Sequence, residues 1–596
     1  MKRGLCLLFL VGLWMGGPLV WPRAARAQMT FEGLDLSDDG EDEGKDDTGK
    51  DATGDDVEIQ IGGSEVSGGD ETMSFEGMGL DLSDEEKSAA QRALDAAVAL
   101  YDGENYDAAA VAFYKILQDP KAAEHHQQAE YLLAKSLYKM GLYHSALAYF
   151  KRILSAGEAH KYFSVSLEWL FFISRKMVNE SVVLEDIAAY ADKEFPEKYR
   201  DEFLYLLAKY HFTRGRALME AGESDEAEQS FAEADRLLGG ISDQTKFYPK
   251  ALFLQGLILY QRGDANGALA KFKEVVKLTS PRTGRLKNTD LRDLAYMQLA
   301  RLHYEHKQNV FAAGYYNKIP RDSEQWLQSL FESSWAYFRL GDYERALGNM
   351  VTLHSPFFAD EYFPESLILK AVIYYENCRY PEAKLIVEEF ESIYGPVHEE
   401  LAKLAASGKT PVEYYELLAD VQRRERAGQP TSGVLARILK AALTDKEFKA
   451  MNDSIQEVER EMDSIAEQEQ VFKFSPLAKE LLEHLKSERQ ELIQKAGLMA
   501  SAKLYAEKES LKDLLSQGLR IRFETQSREK EFLEKQLQAG GKLDVVQAYG
   551  YSVAVSDEEL YWPYEGEYWR DELGTYQYTL TKGCKERLAA GAGAGK

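Results

Sequence analysis

The sequence predicts an all-α chain: a solenoid of helical pairs, then a helical hairpin or coiled-coil region, with a disordered acidic segment in front. Three observations carry this reading. From about residue 87 apolar residues recur at 3.6-residue spacing, with abundant Ala, Leu and Tyr. Within that pattern one phrase returns at intervals, the mark of stacked units that bury one continuous core. Ahead of it the acids concentrate: residues 28–86 hold 21 Asp and Glu against only Lys45 and Lys50, in a 596-residue chain of formal net charge −27. A general nucleic-acid binder needs a basic face, so this balance argues against nucleic acid as a partner.

The first 27 residues read as an address. Met1-Lys2-Arg3 is basic, Leu5 to Val20 is apolar, and Ala25-Arg26-Ala27 is a small-x-small cleavage pattern. Gly16, Gly17 and Pro18 interrupt the apolar run, which is shorter than the ~20 residues a spanning helix needs. The expectation is a signal peptide cut after Ala27 and a periplasmic mature chain. No Cys follows Ala27 closely, so a lipid-modified terminus is not supported. Membrane association is expected to be only indirect, and outer-membrane association stays open. Cys378 and Cys584 remain after cleavage, and their spacing does not say whether they pair.

Residues 28–86 have low hydrophobicity and high charge and are expected to stay unfolded. One phrase occurs there twice, from Thr30 to Asp38 and from Ser74 to Asp84. Each copy sets one Phe and two Leu in a field of acids: Phe31, Leu34 and Leu36, then Phe75, Leu80 and Leu82. Apolar residues gain nothing in an unfolded chain unless something binds them. Two docking motifs on one tether are one reading. Duplicated low-complexity sequence is the other, with Ser83-x-x-Glu86 capping the first helix.

The body spans residues 87–396. Its phrase is a helix, then Gly-x-Tyr-x-x-Ala, then an aromatic or equivalent a few residues on. Gly103 leads to Ala109 and Phe113, Gly141 to Ala146 and Phe150, Gly222 to Ala227 and Phe231. Gly263 leads to Ala268 and Phe272, Gly341 to Ala346 and Met350. Cys378 replaces the glycine before Ala383 and Val387, and a looser copy centres on Ala312 and Tyr316. A degenerate unit at 163–196 brings the total to eight.

This resembles the tetratricopeptide repeat (TPR), a helix–turn–helix unit. The resemblance implies first helices lining a concave groove, with a small residue (Ala134, Gly215, Gly256, Ala300 or Ala371) where each first helix approaches the second. Tyr138, Tyr260, Tyr304, Phe338 and Tyr375 precede the turns at matching positions, with Trp335 and Arg301 expected on the same groove. They read either as a ladder gripping a peptide or as ordinary repeat packing.

Residues 397–540 read as a helical, coiled-coil region. Phe448, Met451, Ile455, Val458, Met462 and Ile465 alternate by three and four. Leucines from Leu477 to Leu519 continue, with breaks expected at Pro476 and Gly497. Residues 541–596 form an aromatic-rich end and flexible tail. Trp562, Tyr564, Tyr568 and Trp569 are read as a binding patch, or as a segment folding back to cap the apolar end of the helices.

No phosphate loop, metal-binding His or Cys pattern, or nucleophile elbow stands in the sequence. No enzyme activity, cofactor or metal is therefore expected. The implied function is a periplasmic protein–protein interaction scaffold of a cell-envelope complex, its partners other envelope proteins. The phrases from Phe331 and from Tyr561 are similar to those of periplasmic TPR proteins of gliding-motility machinery. An outer-membrane or cell-wall assembly factor is the alternative, and a peptidoglycan-acting enzyme a more remote one. The oligomeric state is not legible.

Overall fold

The computed structural model describes residues 89–538 and 566–578, apart from 179–180, 192, 194–196, 283, 285–287, 360 and 431. The expected signal peptide, the acidic segment with its two motifs, and Trp562 and Tyr564 lie outside the described residues. Among the described residues every regular element is a helix.

Eight helical pairs run in sequence. They are α1 (Ala89–Asp102) with α2 (Tyr106–Gln118), and α3 (His126–Lys139) with α4 (Tyr143–Ser155). Next come α5 (Phe163–Ser174) with α6 (Ser181–Ala189), and α7 (Arg200–Ala221) with α8 (Ser224–Leu238). Then follow α9 (Phe247–Gln261) with α10 (Ala265–Leu278), and α11 (Thr289–Glu305) with α12 (Asn309–Tyr316). The last two are α13 (Trp326–Leu340) with α14 (Tyr343–Leu353), and α15 (Pro364–Glu376) with α16 (Tyr380–Ala406).

Seven of the eight turns are one structure repeated. A left-handed residue stands two positions before each second helix: Glu104, Gly141, Gly222, Gly263, Lys307, Gly341 and Cys378, with φ between +56° and +86°. The next residue's N–H reaches back five residues, as in Asn105 to the Leu100 carbonyl and Arg379 to the Tyr374 carbonyl. That bond closes each first helix with a Schellman turn and satisfies its last carbonyls. Four of the seven positions use Gly, which enters this region without strain. In the first pair the left-handed residue is Glu104 and not Gly103, one residue later than the sequence pattern predicts.

Packing within the pairs follows from side-chain size. Ala109, Ala146, Ala227, Ala268, Ala312, Ala346 and Ala383 are fully buried where the helices cross. A Cβ added to Gly215 would sit 2.8 Å from the Phe231 ring, and one on Gly256 would sit 2.7 Å from the Phe272 ring. In these two pairs the aromatic of the second helix therefore fills the space its own first helix leaves open. Each such Phe removes ~1.5–3 kcal/mol worth of apolar surface from water.

After the pairs come α17 (Pro411–Arg426), α18 (Gly433–Leu443), α19 (Lys446–Glu467), the short α20 (Gln470–Lys473) and α21 (Pro476–Gln538). Pro411 and Pro476 stand at helix starts, where the missing N–H costs nothing. Thr410 and Glu413 close a capping box on α17. The expected break at Gly497 is absent: α21 is continuous for 63 residues. Gly497 serves close approach instead, because a side chain there would collide with the backbone of Pro411.

The chain forms two compact units. The smaller comprises, among the described residues, 89–196 and 454–489, so it holds the first three pairs, most of α19 and the start of α21. The larger comprises, among the described residues, 197–453, 490–538 and 566–578, with the other five pairs.

In the smaller unit the returning hairpin of α19 and α21 is antiparallel, pinned by Arg489 to Glu459 at 2.7 Å. Glu461 of α19 accepts from the backbone N–H groups of His144 and Ser145, at 2.9 and 2.8 Å, and so caps α4 from a distant part of the chain. His144 is fully covered and lies 2.7 Å from Glu488 and 3.6 Å from Glu457. Burial favours its neutral ring. Hydrogen bonds to Glu457 and Glu488, and the charges of Glu488 and Glu461, outweigh that and raise it to about 10. Burial also pushes the Glu461 carboxyl up. Burial acts the same way on Glu488, but the bond and charge of His144 prevail and lower it. Glu480 completes the dock, accepting from Tyr114 at 2.6 Å and Tyr149 at 3.3 Å.

In the larger unit α21 covers the last pair. Gly518 lies over Val387, Ile368 and Phe390, and Arg522 pairs with Glu391 at 2.7 Å. Tyr362 donates to Glu507 at 2.7 Å. Residues 566–578, the described part of the aromatic-rich end, lie instead against α13, α14 and α15.

Candidate protein-binding surfaces

The first helices of the smaller unit bring aromatic rings together around a lysine. Lys135 of α3 holds its Nζ 5.3 Å from the ring of Tyr101, 5.7 Å from Tyr131 and 6.0 Å from Trp169. Burial lowers the Lys135 ammonium, and neighbouring Lys139 adds to this while Asp102 opposes it. Tyr138 meets Trp169 edge-on at 5.0 Å, and Trp169 meets Phe172 at 5.4 Å. Tyr138 is half-buried, and burial raises its hydroxyl to about 12. Rigid rings beside cations suit an extended segment carrying an aromatic or acidic side chain. Tyr138 was legible in the sequence; Lys135, Trp169 and Phe172 were not. Only Lys135, one position after the crossing residue Ala134, carried a usable signal.

In the larger unit the expected ladder divides. Trp335 and Phe338 of α13 are half-buried, their rings 6.0 Å apart and edge-on, with Phe338 leaning on Tyr343 at 5.9 Å. Tyr260 reaches Glu305 at 3.2 Å. Tyr375 meets Tyr380 at 5.8 Å with the rings tilted and bonds to Arg528 of α21, so this rung lies under the chain's own last helix.

Two expected groove residues face inward, and this corrects the sequence reading. Arg301 is 3% exposed and forms a two-pronged pair with Glu332 at 2.7 and 2.9 Å. Tyr316 donates to the same carboxylate at 2.9 Å. Tyr304 is buried beneath the Arg339 guanidinium, 3.9 Å from its ring. The helical spacing puts Arg301 in register with Tyr304, but an acid on the neighbouring first helix draws it into the core.

A second surface was invisible in the sequence. The described end of the chain, residues 566–578, forms a strap seated on α13, α14 and α15. Its backbone makes the contacts. Arg321 donates to the Asp571 carbonyl at 2.6 Å, and the Gly574 N–H donates to Thr352 Oγ1 at 2.8 Å. The Tyr578 N–H donates to the Glu344 carbonyl at 3.1 Å. Tyr576 lays its carbonyl against Gly348, and Gly574, at φ +85°, packs on the Trp326 ring. Glu344, Gly348 and Thr352 lie four residues apart, on one stripe of α14. Leu573 is buried, Tyr568 half-buried and Trp569 58% exposed.

Family models for the tetratricopeptide repeat match residues 128–156 and 212–282, which are α3 with α4 and α7 with α8 through α10. The chain carries tetratricopeptide repeats. Among solved structures, the TPR domain of P58(IPK) is similar at 13% identity, covering 68% of this chain and 99% of that one with a TM-score of 0.18. Among curated proteins no sequence matches the chain.

The repeats make the chain a scaffold for protein–protein interaction. Among the described residues no group of three or more His, Cys, Asp or Glu is placed to hold a metal ion. His303 stacks on Tyr315 at 5.4 Å. No described helix is long and apolar enough to cross a membrane.

Proposed function

We propose that this chain is a non-catalytic scaffold of the periplasm that holds other envelope proteins on the first helices of its repeats. The observation that carries this reading is the pair of half-buried rings Tyr138 and Phe172 on either side of the buried Trp169, beside the half-buried Lys135, an arrangement suited to gripping a partner segment. Trp335 and Phe338 repeat the theme further along the chain. The acidic segment adds its two short motifs as docking sites for a partner with an apolar groove and basic rim. Gliding-motility machinery is the setting that the phrases from Phe331 and Tyr561 suggest.

The experiment is in-cell cross-linking with the tagged full chain, followed by fractionation of the envelope. The chain is expected in the periplasmic fraction without residues 1–27. Tyr138→Ala is expected to reduce recovery of a cross-linked partner by ~30-fold, the loss of a hot-spot ring. Phe31→Ala with Phe75→Ala tests the motifs separately. Recovery of the same partners at the same yield from both variants would defeat the scaffold surfaces named here.

A further inference from the structure

Within the larger unit, the 63-residue helix α21 has two apolar faces. Leu504, Leu511 and Leu514 form the buried one. The other stays in solvent: Leu498, Tyr505, Leu519, Phe523 and Leu537 are each half or more exposed, Phe523 at 73%. They follow one another at steps of 4, 7 or 14 residues, the spacing of a coiled-coil seam. At ~100° per residue this stripe lies about 120° round the helix from the buried leucines. Single exposed apolar residues are ordinary, but a row of them along ~60 Å of one helix marks an interaction surface.

The charged residues in and beside the stripe decide what fits it. A second copy of α21, laid antiparallel and centred between Gln517 and Gly518, makes the stripe complementary to itself. Leu498 then meets the partner's Leu537. Lys512 meets the partner's Phe523, and Lys530 meets the partner's Tyr505, each a cation set against a ring. Both lysines are exposed and hold surface pairs with acids of their own helix, Lys512 with Glu509 at 3.1 Å and Lys530 with Glu534 at 3.9 Å. At the edge of the seam exposed Asp513 faces the partner's Arg520, and the two-fold axis repeats every one of these contacts.

Other arrangements of the two helices fail on charge. Sliding the antiparallel pair by one heptad sets Arg520 against the partner's Arg520, and sliding it the other way sets Asp513 against the partner's Asp513. A parallel pair in register stacks Glu509, Lys512 and Lys530 each on its own copy. Like charges at such positions are destabilising and so select against these registers. We propose that the stripe from Leu498 to Leu537 is a homodimer interface, through which two copies of this chain join as an antiparallel two-fold pair. Five large apolar side chains from each copy bring the interface near the ~1,200 Å² at which stable association begins. The dimer carries every partner-binding surface of the scaffold twice, which raises avidity for a partner that is itself repeated.

Analytical ultracentrifugation of the purified full chain tests this. Twice the chain mass is expected as concentration rises, with a Kd of ~10 μM, and a chain still monomeric at ~100 μM overturns the proposal. Leu519→Glu with Phe523→Glu is expected to weaken association by ~100-fold or more. Both sites are exposed, so thermal unfolding of the dilute chain should not change. A dimer of unchanged affinity in that variant also overturns the proposal. Arg520→Glu sets an acid against the partner's Asp513 and is expected to weaken association by ~10-fold. Adding Asp513→Arg exchanges the two charges and is expected to restore the affinity to within ~3-fold of the original. A double variant as weak as Arg520→Glu alone would overturn the antiparallel register.

Discussion

Gly348 and the carbonyl of Tyr576 compete for one space: a Cβ built on the glycine falls on that oxygen. Gly348 sits mid-helix, where Ala is ordinarily better by ~0.5–1 kcal/mol. Gly348→Ala should therefore leave α14 at least as stable and expel the strap. Hydrogen exchange across residues 566–578 checks this. Continued protection of the Gly574 and Tyr578 amides in the variant would contradict it.

The contact between Gly256 and Phe272 makes an opposite prediction about stability. An added methyl would meet a ring that is 1% exposed and has nowhere to move. Gly256→Ala should destabilise by ~1–3 kcal/mol through overpacking. Urea unfolding measures it, and adding Phe272→Leu should recover most of the loss.

Charge in the core gives a third. Glu332→Gln removes the partner of Arg301, whose cation stays buried. Breaking a buried pair on one side costs ~3–5 kcal/mol, whereas replacing both partners is often close to neutral. Thermal unfolding of Glu332→Gln and of Arg301→Met with Glu332→Leu should show that order, with the double variant the more stable.

The His144 cluster predicts a pH dependence. Its folded value of about 10 lies above the ordinary 6.5. The stabilisation it provides is complete below the ordinary value and is lost as pH rises through about 10. Urea midpoints for the full chain should fall between neutral pH and that value. His144→Gln should start lower and fall less over the same window. Equal slopes for the two proteins would rule out this assignment.

What could be read from the sequence was local. Gly before a turn, Ala at a crossing and Phe opposite Gly215 or Gly256 each act within one helical pair, so spacing alone exposes them. Partner choice over long separations left no such trace. Nothing near Glu461 says that it caps a helix beginning at Tyr143, because any solvent-facing heptad position carries Glu just as well. Gly497 reads as a break because the reason for it, the Pro411 backbone, lies in another helix. Arg301 failed similarly: its register with Tyr304 was right, but Glu332 decides where the guanidinium goes. The strap makes its contacts with main-chain groups, which every sequence has.

The route of the chain through its two units has a practical meaning for dissection. The smaller unit is assembled from two described stretches, 89–196 and 454–489, with the bulk of the larger unit inserted between them. No single cut yields either one whole. A fragment ending before Glu197 would leave α4 without its Glu461 cap, Tyr114 without Glu480 and His144 without any of its carboxylates. A nonsense change anywhere before residue 454 would damage the beginning of the protein as surely as its end. Quality control on this chain is thus deferred: its first repeats cannot be completed until about four fifths of the polypeptide has been made.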